Sequence, residues 1–233
     1  MAAIDITWLG HSAFELKLDT GEVFLLDPWL GNPKYPASKQ IERCDYILLS
    51  HGHFDHTGGV AELSAKYNNA PVVAIYEIAT YLQSKQNVKT IGMNKGGSTQ
   101  LGPVTVTMTH AIHSSSMSDE QGNIIYAGEA AGYVLTFADG RALYFAGDTA
   151  VFSDMALIAE IYQPELCILP IGDFYTMGPR EAAVACRLLK AKKVIGMHWG
   201  TFDALPGTPA KLAELAPAGT EVISLEPGAA YRW

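Results

Sequence analysis

Short apolar runs broken by single polar residues open the chain. Ile4-Asp5-Ile6-Thr7-Trp8-Leu9, Ala13-Phe14-Glu15-Leu16-Lys17-Leu18 and Val23-Phe24-Leu25-Leu26 each have strand length. Asp19-Thr20-Gly21 separates the last two as a hairpin turn, so the pattern predicts an antiparallel meander. Asp45-Tyr46-Ile47-Leu48-Leu49 reads as a more buried strand. Val60, Leu63, Ala65 and Tyr67 then fall at helical spacing, which predicts a helix over about residues 58–67. A strand at 71–75, a helix at 77–84 and a short strand at 88–91 continue a β-α-β rhythm.

The second half has the same texture without a sequence repeat. Strands are predicted at 104–108, 132–137, 142–145, 166–169 and 194–197, with a hairpin turn at 138–141. Helices fit 153–162 and 179–189, the latter opening on Pro179, where helices favour proline. The polar, glycine-containing stretch 114–128 reads as a loop over a site. The expectation is one α/β (α+β) domain over residues 1–233, with two sheets packed face to face and helices outside.

Composition narrows the partners. The chain has 233 residues, 48% hydrophobic and 17% charged, with a formal net charge of −8. Average soluble domains carry roughly 25% charge, so this is a compact globule with a large core. An acidic chain has no electrostatic footprint for nucleic acid or an anionic membrane surface. No run approaches the ~20 apolar residues of a spanning helix. The N-terminus has no basic region followed by an apolar stretch, so no signal peptide is expected. Cys44, Cys167 and Cys186 are odd in number and widely spaced, which fits a reducing cytoplasm rather than a disulfide framework. The partner expected is a small-molecule substrate, with self-association left open.

Three of the seven histidines lie in one hexapeptide, His51-Gly52-His53-Phe54-Asp55-His56, between a buried strand and a helix. Imidazoles and a carboxylate at these spacings suit one or two metal ions. A tight turn lets His51 and His53 point one way and Asp55 and His56 another. Gly52 is expected to permit that turn, and Gly58-Gly59 to allow close backbone approach at the helix start.

The run His51-x-His53-x-Asp55-His56 resembles the signature of the metallo-β-lactamase superfamily. Trp8-Leu9-Gly10-His11-Ser12, the segment Ile171-Gly172-Asp173-Phe174-Tyr175-Thr176-Met177-Gly178-Pro179, and Met197-His198-Trp199-Gly200-Thr201-Phe202 are similar to its uncharacterised bacterial and archaeal metal-dependent hydrolases. Those are related to ascorbate-6-phosphate lactonases and to the phospholipase D acting on N-acyl-phosphatidylethanolamine. The resemblance covers nearly the whole chain and implies a four-layer αβ/βα sandwich. It implies that Asp148, after the strand 142–145, bridges two metals, and that His198 is the last ligand. His113, followed by three serines, matches the family's third histidine. His110 ends the preceding strand on the face of Val104, Val106 and Met108, and is expected to pack inside or at the rim.

The ligand set so implied is His51, His53 and His113 on one ion, and Asp55, His56 and His198 on the other, bridged by Asp148 and a water. Zn²⁺ is the default, with Mn²⁺, Fe²⁺ or Ni²⁺ accepted by the same donors. Two such ions ~3.5–4 Å apart render the bridging water a hydroxide nucleophile. Asp55, Asp148 and His11 are expected to carry the chemistry, His11 from the substrate pocket. Asp27 either holds a ligating imidazole or caps its turn. Asp173 and Thr176 orient His198 or the substrate, or cap the helix at Pro179. Trp29, Tyr35, Met177, Trp199 and Phe202 are candidate pocket walls.

The function implied is hydrolysis of a small ester, lactone or phosphodiester. A nuclease is disfavoured by charge. A di-iron oxidoreductase is disfavoured by His53, where redox members carry Glu, and a metal-binding sensor by the complete ligand set. No Gly-x-Ser-x-Gly nucleophile is present.

Overall fold

The computed structural model describes residues 3–119 and 121–233. The chain divides into two compact units. Met1–Asn94, Ser114–Ala130 and Glu226–Trp233 form the first, and Lys95–His113 with Ala131–Leu225 form the second.

The first unit holds a seven-stranded sheet of β1 (Ile4–Trp8), β2 (Phe14–Leu18), β3 (Val23–Leu26), β4 (Tyr46–Leu48), β5 (Val72–Ile75) and β6 (Thr90–Met93), with β16 (Ala230–Arg232) on the far side of β1. β1, β2 and β3 form the antiparallel meander, and β3 to β6 run parallel. Two reversals bring β1 back into the direction of β3 and β4, so the C-terminal ends of all three share one edge. Helices α1 (Phe54–Thr57) and α2 (Val60–Lys66) follow β4, and α3 (Tyr76–Gln86) follows β5. Trp8, Phe14, Phe24 and Leu25 are fully buried, each contributing about 1.5–3 kcal/mol by leaving water.

The second unit holds another seven-stranded sheet, ordered β15-β14-β13-β12-β11-β8-β7. Its strands are β7 (Ser98–Leu101), β8 (Val104–His110), β11 (Ala131–Thr136), β12 (Ala142–Phe145), β13 (Leu166–Pro170), β14 (Lys193–Met197) and β15 (Glu221–Ile223). β12 to β15 run parallel, and β11 is antiparallel to both β8 and β12. The C-terminal ends of β8, β12, β13 and β14 therefore share one edge. Helices α4 (Met155–Tyr162), α5 (Pro179–Leu189) and α6 (Pro209–Leu215) complete the unit. Its core joins Val134, Tyr144, Leu169, Met155 and Cys186.

Most predicted elements are present with shifted ends, and α5 spans the range that periodicity indicated. The largest departure is the stretch 114–128. It is not an irregular loop but carries a hairpin of β9 (Ser116–Ser118) and β10 (Ile124–Tyr126), which belongs to the first unit. Asp119 organises its turn by accepting hydrogen bonds from the backbone amides of Gln121 and Asn123. The element is too short, and too little buried, for periodicity to reveal.

Candidate metal centre

In the first unit the parallel register of β3 and β4 sets Leu26 beside Leu48. The residues that follow, Asp27 and Ser50, meet at the strand ends. Asp27 is fully buried in a left-handed conformation (φ 42°). Its carboxylate accepts from the Ser50 amide at 2.7 Å, the Ser50 hydroxyl at 2.6 Å and the His56 ring at 2.7 Å. The last contact is His56 Nδ1–H donating to Oδ2, so the lone pair of a neutral His56 sits on Nε2.

The same logic reaches His51. The Ser50 hydroxyl spends its one hydrogen on Asp27, so at His51 Nδ1, 3.0 Å away, it acts as acceptor. His51 then carries its proton on Nδ1 and its lone pair on Nε2, which lies 2.9 Å from His53 Nδ1. One buried carboxylate, directly and through one hydroxyl, assigns the tautomers of two imidazoles. Ser50 is the functional residue that sequence reasoning missed. Its only signal is a small polar residue between an apolar strand and the histidine motif.

The outward nitrogens are suited to a cation. His56 Nε2 lies 3.9 Å from Asp55 Oδ2, acceptor facing acceptor. Asp55 Oδ2 also accepts from His11 Nε2 at 3.0 Å. His11 is fully buried, holds φ 51°, and packs edge-on against Trp29 at 5.5 Å. It is thus an enclosed imidazole on a candidate ligand, while Trp29 packs on both His11 and Phe54. Donor atoms of Asp27, His51 and His56 also lie within 4.8 Å of one another, but the oxygens of Asp27 already serve Ser50 and His56.

The backbone explains the glycines. Gly52 is required by close approach rather than by the turn: a Cβ there would stand 2.6 Å from Ala127 Cβ and 2.9 Å from the Ser116 carbonyl oxygen. The hairpin is bolted onto the motif, with the Gly52 amide donating to Ser115 Oγ, which donates to the Ala127 carbonyl. Gly59 holds φ 80° as the cap of α2.

In the second unit, Asp148 follows β12 and is almost fully buried. Its Oδ2 lies 3.0 Å from His198 Nε2 and 3.7 Å from His113 Nε2. His198 turns back from the end of β14 with φ 55°, and Gly172 must lack a Cβ because one would stand 1.9 Å from the His198 carbonyl oxygen. His113 is partly exposed past β8.

His110 lies at the rim of the second sheet, the outer of its two expected positions. It is exposed, not interior: its Nδ1 accepts from Lys95 Nζ at 2.9 Å, and its ring meets Phe152 edge-on. β8 is buried on both faces through Thr109 apart from half-buried Thr105, so odd-even alternation carries little information there, and His110 lies where the cover ends. Asp173 is also exposed and bonds within its own turn, accepting from the Phe174 amide. Gly178 caps α5 without a side-chain bond. Of the remaining candidate pocket walls, Met177 joins the core, Trp199 donates to the Gly196 carbonyl, and Tyr35 donates to that of Lys39. Phe202 is exposed.

The beta-lactamase superfamily domain matches residues 22–199. A UPF0173 metal-dependent hydrolase of Solibacter usitatus is 56% identical over 99% of this chain and all of its own. The chain belongs to that family. Another member, from Archaeoglobus fulgidus, is 45% identical over 98% of both chains. Igni18, a metallo hydrolase of Ignicoccus hospitalis, shares the fold with a TM-score of 0.84 and 31% identity, over 99% of this chain and 98% of its own. The α/β fold of this UPF0173 chain is accordingly that of the metallo-β-lactamases. Among its described residues no helix is long and apolar enough to cross a membrane.

Proposed function

We propose that this protein is a dinuclear metal-dependent hydrolase of a small ester, lactone or phosphodiester. The observation that carries the reading is the pair His56 and Asp55. Asp27 holds the proton of His56 on Nδ1, and this leaves a lone pair and a carboxylate oxygen facing one another, an arrangement that a divalent cation completes. The proposed metal ligands are His51, His53, Asp55 and His56 in the first unit and His113, Asp148 and His198 in the second. Zinc suits these donors, and manganese, iron or nickel would be accepted. Bound there, the ions would acidify a water and stabilise negative charge developing on the substrate.

The chain's own residues set up that chemistry. Asp27 and Ser50 keep Nε2 of His51 and His56 free of protons. His11 orients the Asp55 carboxylate by donating to Oδ2. Asp148 is approached by two imidazoles, which suits a bridging role. The family's named activity, metal-dependent hydrolysis, supports the general reaction, and three reduced, buried cysteines fit a cytoplasmic enzyme. The −8 charge disfavours a nuclease.

The test is elemental analysis of metal-reconstituted protein, followed by screening against lactones, carboxylate esters and bis-aryl phosphodiesters. The expected result is two ions per chain and metal-dependent turnover of one class. One ion per chain would overturn dinuclearity, and metal-loaded protein inert to every class would overturn the reaction.

A further inference from the structure

We propose that a groove in the first unit is the subsite for a neutral apolar group, acyl, alkyl or aryl, of the molecule hydrolysed. The proposal rests on the hydrolase reading above and names the kind of substrate that reading left open. The groove encloses about 640 Å³, within the range typical of small-molecule sites, roughly 300–1,000 Å³. It begins at His53, whose Nδ1 faces His51, and runs between the α1–α2 segment and the β9–β10 hairpin. Val60 forms one wall, Met117 and Ile124 the other, and Leu82 closes it.

Two observations point to an apolar occupant, and two more show that the groove has room and a fixed wall. Phe54 and Ile124 border the groove at 68% and 80% exposure. Large apolar side chains exposed singly are common, whereas apolar side chains grouped about a groove are a feature of ligand-binding sites. Among the described lining residues there is no Lys or Arg, and Glu62 is the charged one, so an anionic tail would be repelled. Gly59 leaves open space, with nothing within 4 Å of where its Cβ would stand. The wall formed by the hairpin is fixed by Ser115, which bonds both the Gly52 amide and the Ala127 carbonyl. Continuity with the His53 ring argues for part of a substrate whose hydrolysable end lies at the candidate ligands, rather than for a second copy of the chain.

Calorimetric titration with straight-chain 2-alkanones of four to ten carbons tests this on protein with and without metal. Affinity should rise up to about fourfold per methylene, the full-burial limit, until the groove is filled. Ser118→Trp, which fills the groove from the hairpin side, should flatten that rise. Ile124→Ser should reduce it, which keeps the test open should the tryptophan variant misfold. Affinity independent of chain length in the parent protein would overturn the proposal, as would an unchanged slope in both variants. If Ile124→Ser instead turned an oligomer into a monomer with the slope unaltered, the apolar rim would be a self-association surface and the subsite would be refuted. A chain-length slope in protein that takes up no metal would uphold the groove and sink the hydrolase reading, so the two failures are distinguishable.

Discussion

The two units build their candidate ligands in opposite ways. The first concentrates His51, His53, Asp55 and His56 in one turn after β4 and secures two of the imidazoles through Asp27 and Ser50. The second gathers His113, Asp148 and His198 from three separate strand ends around a single carboxylate oxygen. In the first, local chain geometry and a buried carboxylate orient the donors. In the second, the parallel register of β12, β13 and β14 does so. The contrast implies that the first unit's cluster responds to changes in its hydrogen-bonded support, and the second unit's to loss of its shared aspartate.

Removing donors should break both halves. His51→Ala and Asp148→Asn should each lower metal-dependent activity by more than the about 10–100-fold typical of lost supporting residues. Elemental analysis should show metal lost in both. Retention of full metal by either variant would remove that residue from the ligand set.

Support should matter more in the first half. Asp27→Asn should cost about 10–100-fold in metal affinity or rate. Ser50→Ala should cost less than Asp27→Asn, because it releases the His51 tautomer while His56 keeps its partner. An equal effect of both would show that the two imidazoles are not separately held. A competitive chelator titration reads the difference.

Within the second half, His113 and His110 are the sharp pair. His113→Ala should lose metal. His110→Ala, at an exposed position on Lys95 and Phe152, should keep metal and change stability within about 0.5 kcal/mol. Metal content and thermal melting of both variants decide it, and the reverse pattern would exchange their roles.

The smallest expected effect treats the units alike. Burial pushes the thiols of Cys44, in the first unit, and Cys186, in the second, well above the usual thiol range, up to about 12. A thiol held neutral in the native chain contributes stability that is fully present below about pH 9 and lost as pH rises toward 12. Native protein at pH 8 should therefore resist a thiol reagent at both positions until it unfolds. Rapid labelling of one alone would show that its unit opens independently.

These differences explain what could be read in advance. The histidine hexapeptide is contiguous, and its strand-turn-helix setting follows from the apolar run before it. The ends of β12 and β14 were marked by apolar runs closing on Asp148 and His198. His110 could not be assigned between interior and rim because β8 is buried almost throughout on both faces, which removes the meaning of alternation. The hairpin 116–126 escaped notice because short, exposed strands leave no periodic signal.

Sequence alone determined the α/β alternation of the longer strands and helices, the histidine motif and the acidic, low-charge composition, since these depend on local pattern and on residue type; the short β7, β9, β10, β15, β16 and α6 left no such pattern. Tertiary structure alone decided that Asp27 reaches both Ser50 and His56, that His11 lies buried on Asp55, and that His11, Asp27 and His198 adopt left-handed backbone. Such contacts join strand ends that are distant along the chain. Only the hydrogen-bonded register of a folded sheet brings them within a bond's length, and no pattern within one segment encodes that register.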